Sequence, residues 1–332
     1  MVKFGIEFVP DRSPQKVVEL ATLAEEGGFE YVWITDHFNN RNTYVVLTAT
    51  ALSTQKVKLG PGVTNPYLTS PAWTASAVAS LDEISGGRAV LGIGAGDRTT
   101  LETLGIGFLR LRPLSAIEES VDMIKLLWKG KAVHFKGAVF TLSGAKLNYT
   151  PGHAIPIYVG AQGPKLLELA GRIADGVLVN ASHPIDLEPA IRQITQGATC
   201  ANRNIQQVDI AAYTCFSIDQ DAHRAKEKAR EVVAFIIAGS PPDVLERHKA
   251  PSDLAQKISE RLVAGDFPNA FSLVPDELVD VFSISGSIDD CIQRIRELIS
   301  IGVTQIVVGS PIGPKKREAI ELISREVMPR LV

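Results

Sequence analysis

The feature that most constrains the fold is a repeated alternation of short β-branched runs with longer helical stretches. The runs lie at residues 4–9, 31–37, 57–65, 89–94, 155–160, 176–180, 208–216 and 305–309. Such alternation is typical of βαβ units, in which consecutive strands are parallel. Eight units in a chain of 332 residues predict one (β/α)8 TIM barrel spanning residues 1–332. An open doubly wound sheet is the weaker alternative, because the element count fits a closed barrel better.

Two segments interrupt the alternation. Residues 131–147 contain two short β-branched runs around Lys136-Gly137, which predicts a β-hairpin inserted before the fifth strand. Residues 239–280 are longer than an ordinary connection and carry several proline breaks. Long insertions in compact domains often serve as lids or interface elements, so we expect one of these roles for this segment.

Composition and charge exclude several classes of protein. The net charge is only -3 and no basic run is present, which argues against nucleic-acid binding. Cys200, Cys215 and Cys291 are isolated and form no CxxC pair, so neither a disulfide framework nor a zinc site is predicted. No apolar run approaches the ~18 residues of a membrane span, and the amino terminus enters a strand without a signal peptide. We therefore expect a cytoplasmic protein.

The candidate site residues stand at the ends of the predicted strands, where barrel enzymes place their chemistry. Glu7 lies inside the apolar first run, and a buried carboxylate is costly unless it is paired or protonated. A structural ion pair and a general acid with a raised pKa both remain open for Glu7. Asp36 and His37 end the second run, and Asp97 follows the glycine-rich end of the fourth. His37 could simply cap a neighbour, but the coincidence of these groups at strand ends favours a polar ring.

Glycine-rich turns follow two of the predicted strands. Residues 92–96 do not fit the dinucleotide fingerprint, because the third glycine comes one position early and no acidic ribose ligand follows. Residues 160–165 combine a glycine-rich turn, a helix start and Lys165, an arrangement that can hold a phosphate. A plain Gly-Pro helix entry explains the same residues equally well. Ser310–Gly313 is a weaker candidate of this kind, and Ser287 with Asp290 predicts a helix N-cap.

The motifs at these strand ends resemble those of the luciferase-like flavin and deazaflavin oxidoreductases, in particular the methylene-tetrahydromethanopterin reductases. The resemblance covers nearly the whole chain and rests on five segments: Lys3–Pro10, Trp33–His37, Gly60–Pro66, Gly92–Asp97 and Gly160–Pro164. The Asp-His and Gly-Ala-Gly-Asp elements are typical of the wider family. Glu7 and the Pro-Gly-Val-Thr-Asn-Pro loop point to the reductases.

The resemblance implies that the barrel binds coenzyme F420, a deazaflavin, with its ring against the third strand and a non-proline cis peptide at Gly62–Val63. The phosphate of the coenzyme would lie at residues 161–164. The implied cofactor-binding residues are Asp36, His37, Gly62, Val63, Thr64, Asn65, Gly160, Ala161, Gln162, Gly163, Pro164 and Asn180.

The implied reaction is hydride transfer to the bridging methylene carbon of a pterin, a step of one-carbon metabolism in methanogenesis. Glu7 is the expected acid for the bridge nitrogen, with Asp97 as its partner or alternative. The pterin could be tetrahydromethanopterin, a relative of it, or tetrahydrofolate, and a homodimer or homotetramer is expected.

Three other functions remain open at this point. One is an F420-dependent dehydrogenase of an alcohol or sugar phosphate, with His37 as base. The second is an FMN-dependent luciferase-like monooxygenase, and the third is a flavin-binding barrel without catalytic activity.

Overall fold

Parallel strands and helices alternate along the chain. The computed structural model describes residues 2–107, 111–251 and 253–331. In chain order its strands are β1 (Lys3–Phe8), β2 (Tyr31–Ile34), β3 (Lys58–Pro61), β4 (Leu91–Gly94), β5 (Val133–Lys136), β6 (Thr141–Ala145), β7 (Ile157–Gly160), β8 (Gly176–Asn180), β9 (Asp209–Ile218), β10 (Ser283–Gly286) and β11 (Gln305–Ile312).

The main sheet closes on itself. Its parallel strands follow the order β3-β2-β1-β11-β9-β8-β7-β4, and β10 pairs with residues 215–218 of β9. The two ends of this order meet through backbone hydrogen bonds from Val90 N to Leu59 O and from Thr64 N to Gly92 O, both 3.0 Å long. Over the described ranges, eight parallel strands therefore form the wall of a nearly closed barrel. The predicted fold class is confirmed.

The helices cover the outside of the barrel and form the segment after β9. They are α1 (Pro14–Glu26), α2 (Thr43–Ser53), α3 (Pro71–Ser85), α4 (Arg98–Thr103), α5 (Pro113–Leu127), α6 (Pro164–Ile173), α7 (Pro184–Cys200), α8 (Ala222–Gly239), α9 (Pro242–Arg247), α10 (Leu254–Val263), α11 (Phe267–Ser272), α12 (Asp276–Phe282), α13 (Ile288–Ser300) and α14 (Lys316–Leu322). Ser287 caps α13 in a capping box with Asp290, as the sequence predicts. Among the described residues, no helix has both the length and the apolar character that a bilayer span requires.

A buried polar network closes the amino-terminal end of the barrel. The Asp209 carboxylate accepts hydrogen bonds from the Tyr158 hydroxyl (2.8 Å) and from Gln305 Nε2 (2.9 Å), and it pairs with Lys3 Nζ at 3.1 Å. Gln305 in turn accepts from Trp33 Nε1 at 3.2 Å. Because these groups satisfy one another, this end is filled with protein, and the opposite mouth is left for a ligand.

The segment at 131–147 forms an antiparallel hairpin of β5 and β6. The carboxylate of Glu119 on α5 fastens its turn by accepting hydrogen bonds from the backbone N–H groups of Ala138 (2.6 Å), Val139 (3.0 Å) and Phe140 (2.9 Å). Glu119 is buried, so these bonds also provide the partners that its charge needs.

The segment at 239–280, apart from Ser252, which lies outside the described residues, consists of helices α9–α12. They pack on α8 around a second apolar core that includes Val233, Ile258 and Val279. Strand β10 was not predicted from the sequence, because Ser283-Ile-Ser-Gly286 is short and half polar. In the structure these residues are buried beside β9 and extend the sheet there.

Candidate functional site at the carboxyl-terminal mouth

The predicted site residues stand at one mouth of the barrel. Glu7 is the next-to-last residue of β1, Asn180 ends β8, and Gly160 ends β7. Asp36 and Asn65 follow the carboxyl ends of β2 and β3. Since all these strands are parallel members of one closed sheet, their carboxyl ends open on the same side.

The Glu7 side chain points into the barrel. Its neighbour two residues earlier, Gly5, faces the interior, since a Cβ there would lie 3.2 Å from Trp33 Nε1. Alternate residues of a strand share a face, so the Glu7 carboxyl is also inside. Its Oε1 accepts a 2.9 Å hydrogen bond from Ser310 Oγ. No ion pair to Glu7 is formed within the described ranges, which weighs against a structural salt bridge.

The surroundings of Glu7 favour its protonated form. Burial raises the pKa of this carboxyl above its ordinary value of 4.5, while the hydroxyls of Ser310 and Tyr213 and the charges of Lys316 and His37 act in the opposite direction. Burial outweighs these stabilising contacts. The carboxyl is therefore suited to hold a proton and to release it to a bound substrate.

The turn after β3 contains the non-proline cis peptide that the resemblance implied, between Gly62 and Val63. The Val63 side chain lies over the glycines of β4 and β7: a Cβ would come within 2.8 Å of it at Gly94 and within 3.2 Å at Gly160. Side chains at these glycines would displace Val63. The turn and the two glycines together form one wall of the mouth.

The residues after this turn are held rigidly. Thr64 is buried, and its backbone forms two hydrogen bonds with β4. Thr64 N donates to Gly92 O (3.0 Å), and Gly94 N donates to Thr64 O (2.8 Å). Asn65 is buried as well, and its Oδ1 accepts from the backbone N–H groups of Tyr67 (3.2 Å) and Leu68 (3.0 Å). Asn65 therefore orders the loop, and its amide nitrogen remains available as a donor.

The other predicted polar residues are more open to solvent. Asp36 is half-buried and His37 is exposed after β2. Asp97 is exposed and caps α4, with Oδ2 accepting from Thr100 N at 2.7 Å. Asp97 thus has a structural partner of its own, whereas Glu7 is enclosed.

The predicted phosphate turn is exposed at the start of α6. Ala161 N bonds to Leu178 O (3.1 Å), and Gln162 Nε2 donates to Asn180 O (3.4 Å), so the turn is tied to β8. Gly163 is the N-cap of α6 and has open space where a Cβ would stand. The free N–H groups of a helix start in open space can bind an anion.

Two further residues complete the mouth and were not predicted. Tyr213 on β9 lies against Glu7, and burial together with that carboxylate raises the pKa of its hydroxyl well above 10. Lys316 begins α14, and burial lowers the pKa of its amine. The alternation Asp209, Ala211, Tyr213 would have placed Tyr213 inside the barrel; Lys316 gave no signal beyond following the last strand.

Comparison with known proteins agrees with this geometry. A sequence model of the luciferase-like monooxygenase family matches residues 3–305. The 5,10-methylenetetrahydromethanopterin reductase of Archaeoglobus fulgidus is 52% identical over 334 residues, covering 99% of this chain and 100% of that protein. This chain belongs to the luciferase-like family, among its methylenetetrahydromethanopterin reductases.

An F420-dependent enzyme of this family with another activity is more distant. The structure of the coenzyme F420-dependent tetrahydromethanopterin reductase from Methanopyrus kandleri superimposes with a TM-score of 0.95 at 45% identity, covering 100% of this chain and 99% of that one. An F420-dependent glucose-6-phosphate dehydrogenase of Rhodococcus erythropolis is 27% identical, covering 96% of this chain and 94% of that protein. The reductases are thus much nearer to this chain than the sugar-phosphate dehydrogenase.

Proposed function

We propose that this chain reduces methylene-tetrahydromethanopterin to methyl-tetrahydromethanopterin with a hydride from reduced coenzyme F420, in the one-carbon metabolism of methanogenesis. The observation that carries the proposal is the buried Glu7 carboxyl, whose surroundings favour the protonated form, at the same mouth as Val63 with its two glycines and as the turn that could bind an anion. Full-length identity of 47–52% to reductases of this name supports the choice of substrate and coenzyme.

The mouth has the features that a deazaflavin with a phosphate side chain needs. A flat ring can lie against a wall of short side chains, and Val63 with the two glycines beneath it forms such a wall. The phosphate would be held by the turn at 161–164, and the ring by Asp36, His37 and the segment 62–65, with Asn180 beside the turn. When bound, the coenzyme supplies a hydride.

Glu7 delivers the proton that the reaction requires. The methylene bridge of the pterin opens when one of its nitrogens is protonated, and the resulting iminium carbon accepts the hydride. Ser310 fixes one oxygen of Glu7, and the positive charge of Lys316 stabilises the carboxylate left after proton transfer. Asp97 is the alternative acid; burial favours Glu7 for this role, because Asp97 is exposed and its Oδ2 already accepts a hydrogen bond from Thr100 N at the start of α4.

The test is to mix reduced F420 anaerobically with methylene-tetrahydromethanopterin, and in parallel with methylene-tetrahydrofolate, and to follow the absorbance of oxidised F420. We expect turnover with the first pterin.

Glu7→Gln should bind F420 normally and lose about 10²-fold or more in kcat, whereas Asp97→Asn should retain most activity. Unchanged turnover in Glu7→Gln excludes Glu7 as the acid. Oxidation of an alcohol or sugar phosphate without pterin reduction, or oxygen consumption with FMN, overturns the proposed function.

We further propose that the chain is a single folding unit that assembles into a cytoplasmic homodimer or homotetramer. Exposed apolar side chains on α2 and α3 support assembly: Val45 is 60% exposed, Leu52 69% and Trp73 74%. Light scattering of the purified protein measures the oligomeric state, and a monomer at micromolar concentration contradicts this part of the proposal. Two separate unfolding transitions of a monomeric form would contradict the single unit.

A further inference from the structure

Tyr213 spans the mouth of the barrel. Strands β9 and β3 face each other, because three strands separate them in either direction around the sheet. From β9, the Tyr213 hydroxyl reaches the turn after β3 and donates a 3.2 Å hydrogen bond to Gly62 O. Gly62 allows this approach, since a Cβ there would lie 2.9 Å from the phenol oxygen.

The same phenol lies against the Glu7 carboxyl. Strand β11 runs between β1 and β9, and its Gly309 lies beside the Glu7 carboxyl. A Cβ at Gly309 would be 3.3 Å from Glu7 Oε2 and 2.1 Å from the backbone oxygen of Thr214. The Glu7 carboxyl reaches across β11 at this point to the hydroxyl of Tyr213.

The phenol has one proton and two acceptors within reach. When Glu7 is protonated, its own O–H can donate to the Tyr213 oxygen, and Tyr213 donates to Gly62 O. When Glu7 has lost its proton, its carboxylate is the stronger acceptor, because hydrogen bonds to ionised groups are about twice as strong as neutral ones. The phenol proton then turns from Gly62 O to Glu7. Ser310 donates to Oε1 in both states.

We propose that Tyr213 is a positioning residue whose hydroxyl turns between Gly62 O and Glu7, so that the protonation of Glu7 is coupled to the turn that forms the wall of the coenzyme site. The inference extends the proposed function. No bond to hydrogen is broken at Tyr213: the proton that leaves Glu7 goes to the pterin nitrogen, and the phenol only rotates to stabilise the carboxylate. Proton delivery then releases one hydrogen bond on Gly62.

Several groups besides Tyr213 face Glu7 and set the background for this coupling. They come from the loop after β2, from β9, from β11 and from α14, and are His37, Cys215, Ser310 and Lys316. These groups stay in place when the phenol oxygen alone is removed. A change in the titration of Glu7 on removal of that oxygen therefore reports the phenol itself.

The first measurement uses the protein without coenzyme. Glu7 is titrated by infrared difference spectroscopy, and its carboxyl band is assigned by its loss in Glu7→Gln. Tyr213→Phe should raise the pKa of Glu7, since the carboxylate loses a donor. Replacing Tyr213 by 3-fluorotyrosine, which keeps the ring and donates a stronger hydrogen bond, should lower it. Tyr158→Phe, which removes a phenol at the other end of the barrel, should leave it unchanged.

The second measurement is the pH profile of pterin reduction. In Tyr213→Phe we expect kcat to fall about tenfold and its alkaline limb to move to higher pH, with the KM for F420 changed less than about twofold. An unshifted Glu7 titration in both Tyr213 variants overturns the inference. So does weaker F420 binding with an unchanged pH profile, which would mean that the phenol only supports the turn. A shifted titration in a protein that does not reduce the pterin overturns the proposed function and leaves the coupling intact.

Discussion

The hydroxyl of Ser310 donates a 2.9 Å hydrogen bond to Oε1 of Glu7 and so joins the last strand of the barrel to the first. This bond holds a carboxyl that is buried and that has no ion-pair partner among the described residues. A carboxyl in such a place binds its proton more tightly in the folded than in the unfolded chain. The stability of the protein must therefore depend on pH through Glu7.

Replacing Glu7 by Gln should remove this dependence. The folded-state pKa of Glu7 is raised above 4.5, so its stabilising contribution is fully present below that pH and is lost as pH rises through the folded pKa. The variant should gain about 1.4 kcal/mol relative to wild type, at alkaline pH, for each unit by which the pKa is raised. Urea denaturation at a series of pH values measures the difference. A difference that stays constant from acid to alkaline pH contradicts the prediction.

The contact between Asp186 on α7 and the segment at 239–280 should be energetically important. Burial tends to raise the pKa of Asp186, but His248 Nε2 at 2.7 Å and Arg247 outweigh it and lower the pKa below 3.8. Asp186→Asn leaves His248, only 2% exposed, without its carboxylate and should cost about 3 kcal/mol in unfolding free energy. The wild-type stabilisation is present above pH 3.8 and is lost as pH falls through the folded pKa.

The matched control for Asp186 is Asp243→Asn. Asp243 pairs with the same Arg247 at 3.4 Å but is 73% exposed, so its loss should cost less than about 1 kcal/mol. Urea denaturation compares the two variants, and hydrogen exchange at α9 locates the change. Equal effects of the two substitutions would show that the buried contact does not fasten the segment.

The barrel could be predicted from the sequence because its strands are short apolar runs that stand out between the helices. The runs at 31–34 and 176–179 contain no charged or amide side chain and are buried, as strands covered on both faces must be. Strand β10 could not be predicted, because the hydrogen bonds that allow its serines to be buried cannot be inferred from the sequence. One of them runs from Ser283 Oγ to Val279 O at 2.6 Å.

The candidate site was predictable only in part. Glu7 stood out because a carboxylate inside an apolar run needs an explanation. Tyr213 did not, because a tyrosine in a strand is unremarkable until its hydroxyl partner is known. That partner is the backbone of Gly62, 151 residues away along the chain, and only the closed barrel brings the two together.

Glu119 should control the hairpin of β5 and β6 without affecting the barrel. Its carboxylate accepts from three successive backbone N–H groups at 138–140, and its removal leaves these donors without a protein partner. Glu119→Ala should lower the opening free energy of the hairpin by about 2 kcal/mol or more. Hydrogen exchange at 138–140 should accelerate while exchange in β1 does not.

The neighbouring residue supplies the control for Glu119. Glu118 on the same helix makes a 3.0 Å ion pair with Arg172, with both side chains more than 40% exposed. Glu118→Ala should leave exchange at 138–140 unchanged, because this pair does not touch the hairpin turn. Equal acceleration in both variants would mean that the hairpin depends on α5 as a whole and not on the Glu119 carboxylate.

Gly163 offers a test of the proposed phosphate turn that leaves the fold intact. Its φ of -75° and ψ of 148° suit any residue, and a Cβ there meets no atom within 4 Å. Gly163→Ala should therefore fold and melt like wild type. If the phosphate of F420 approaches the N–H groups of this turn closely, the added methyl group should weaken coenzyme binding about tenfold, as measured by calorimetry.

Two controls accompany the Gly163→Ala variant. Its binding of a deazaflavin without the phosphate should not change. Gly152→Ala, at another exposed glycine with open space around its Cβ, should change neither. Equal losses with and without the phosphate would place the contact at the ring, and full retention of F420 affinity would remove this turn from the coenzyme site.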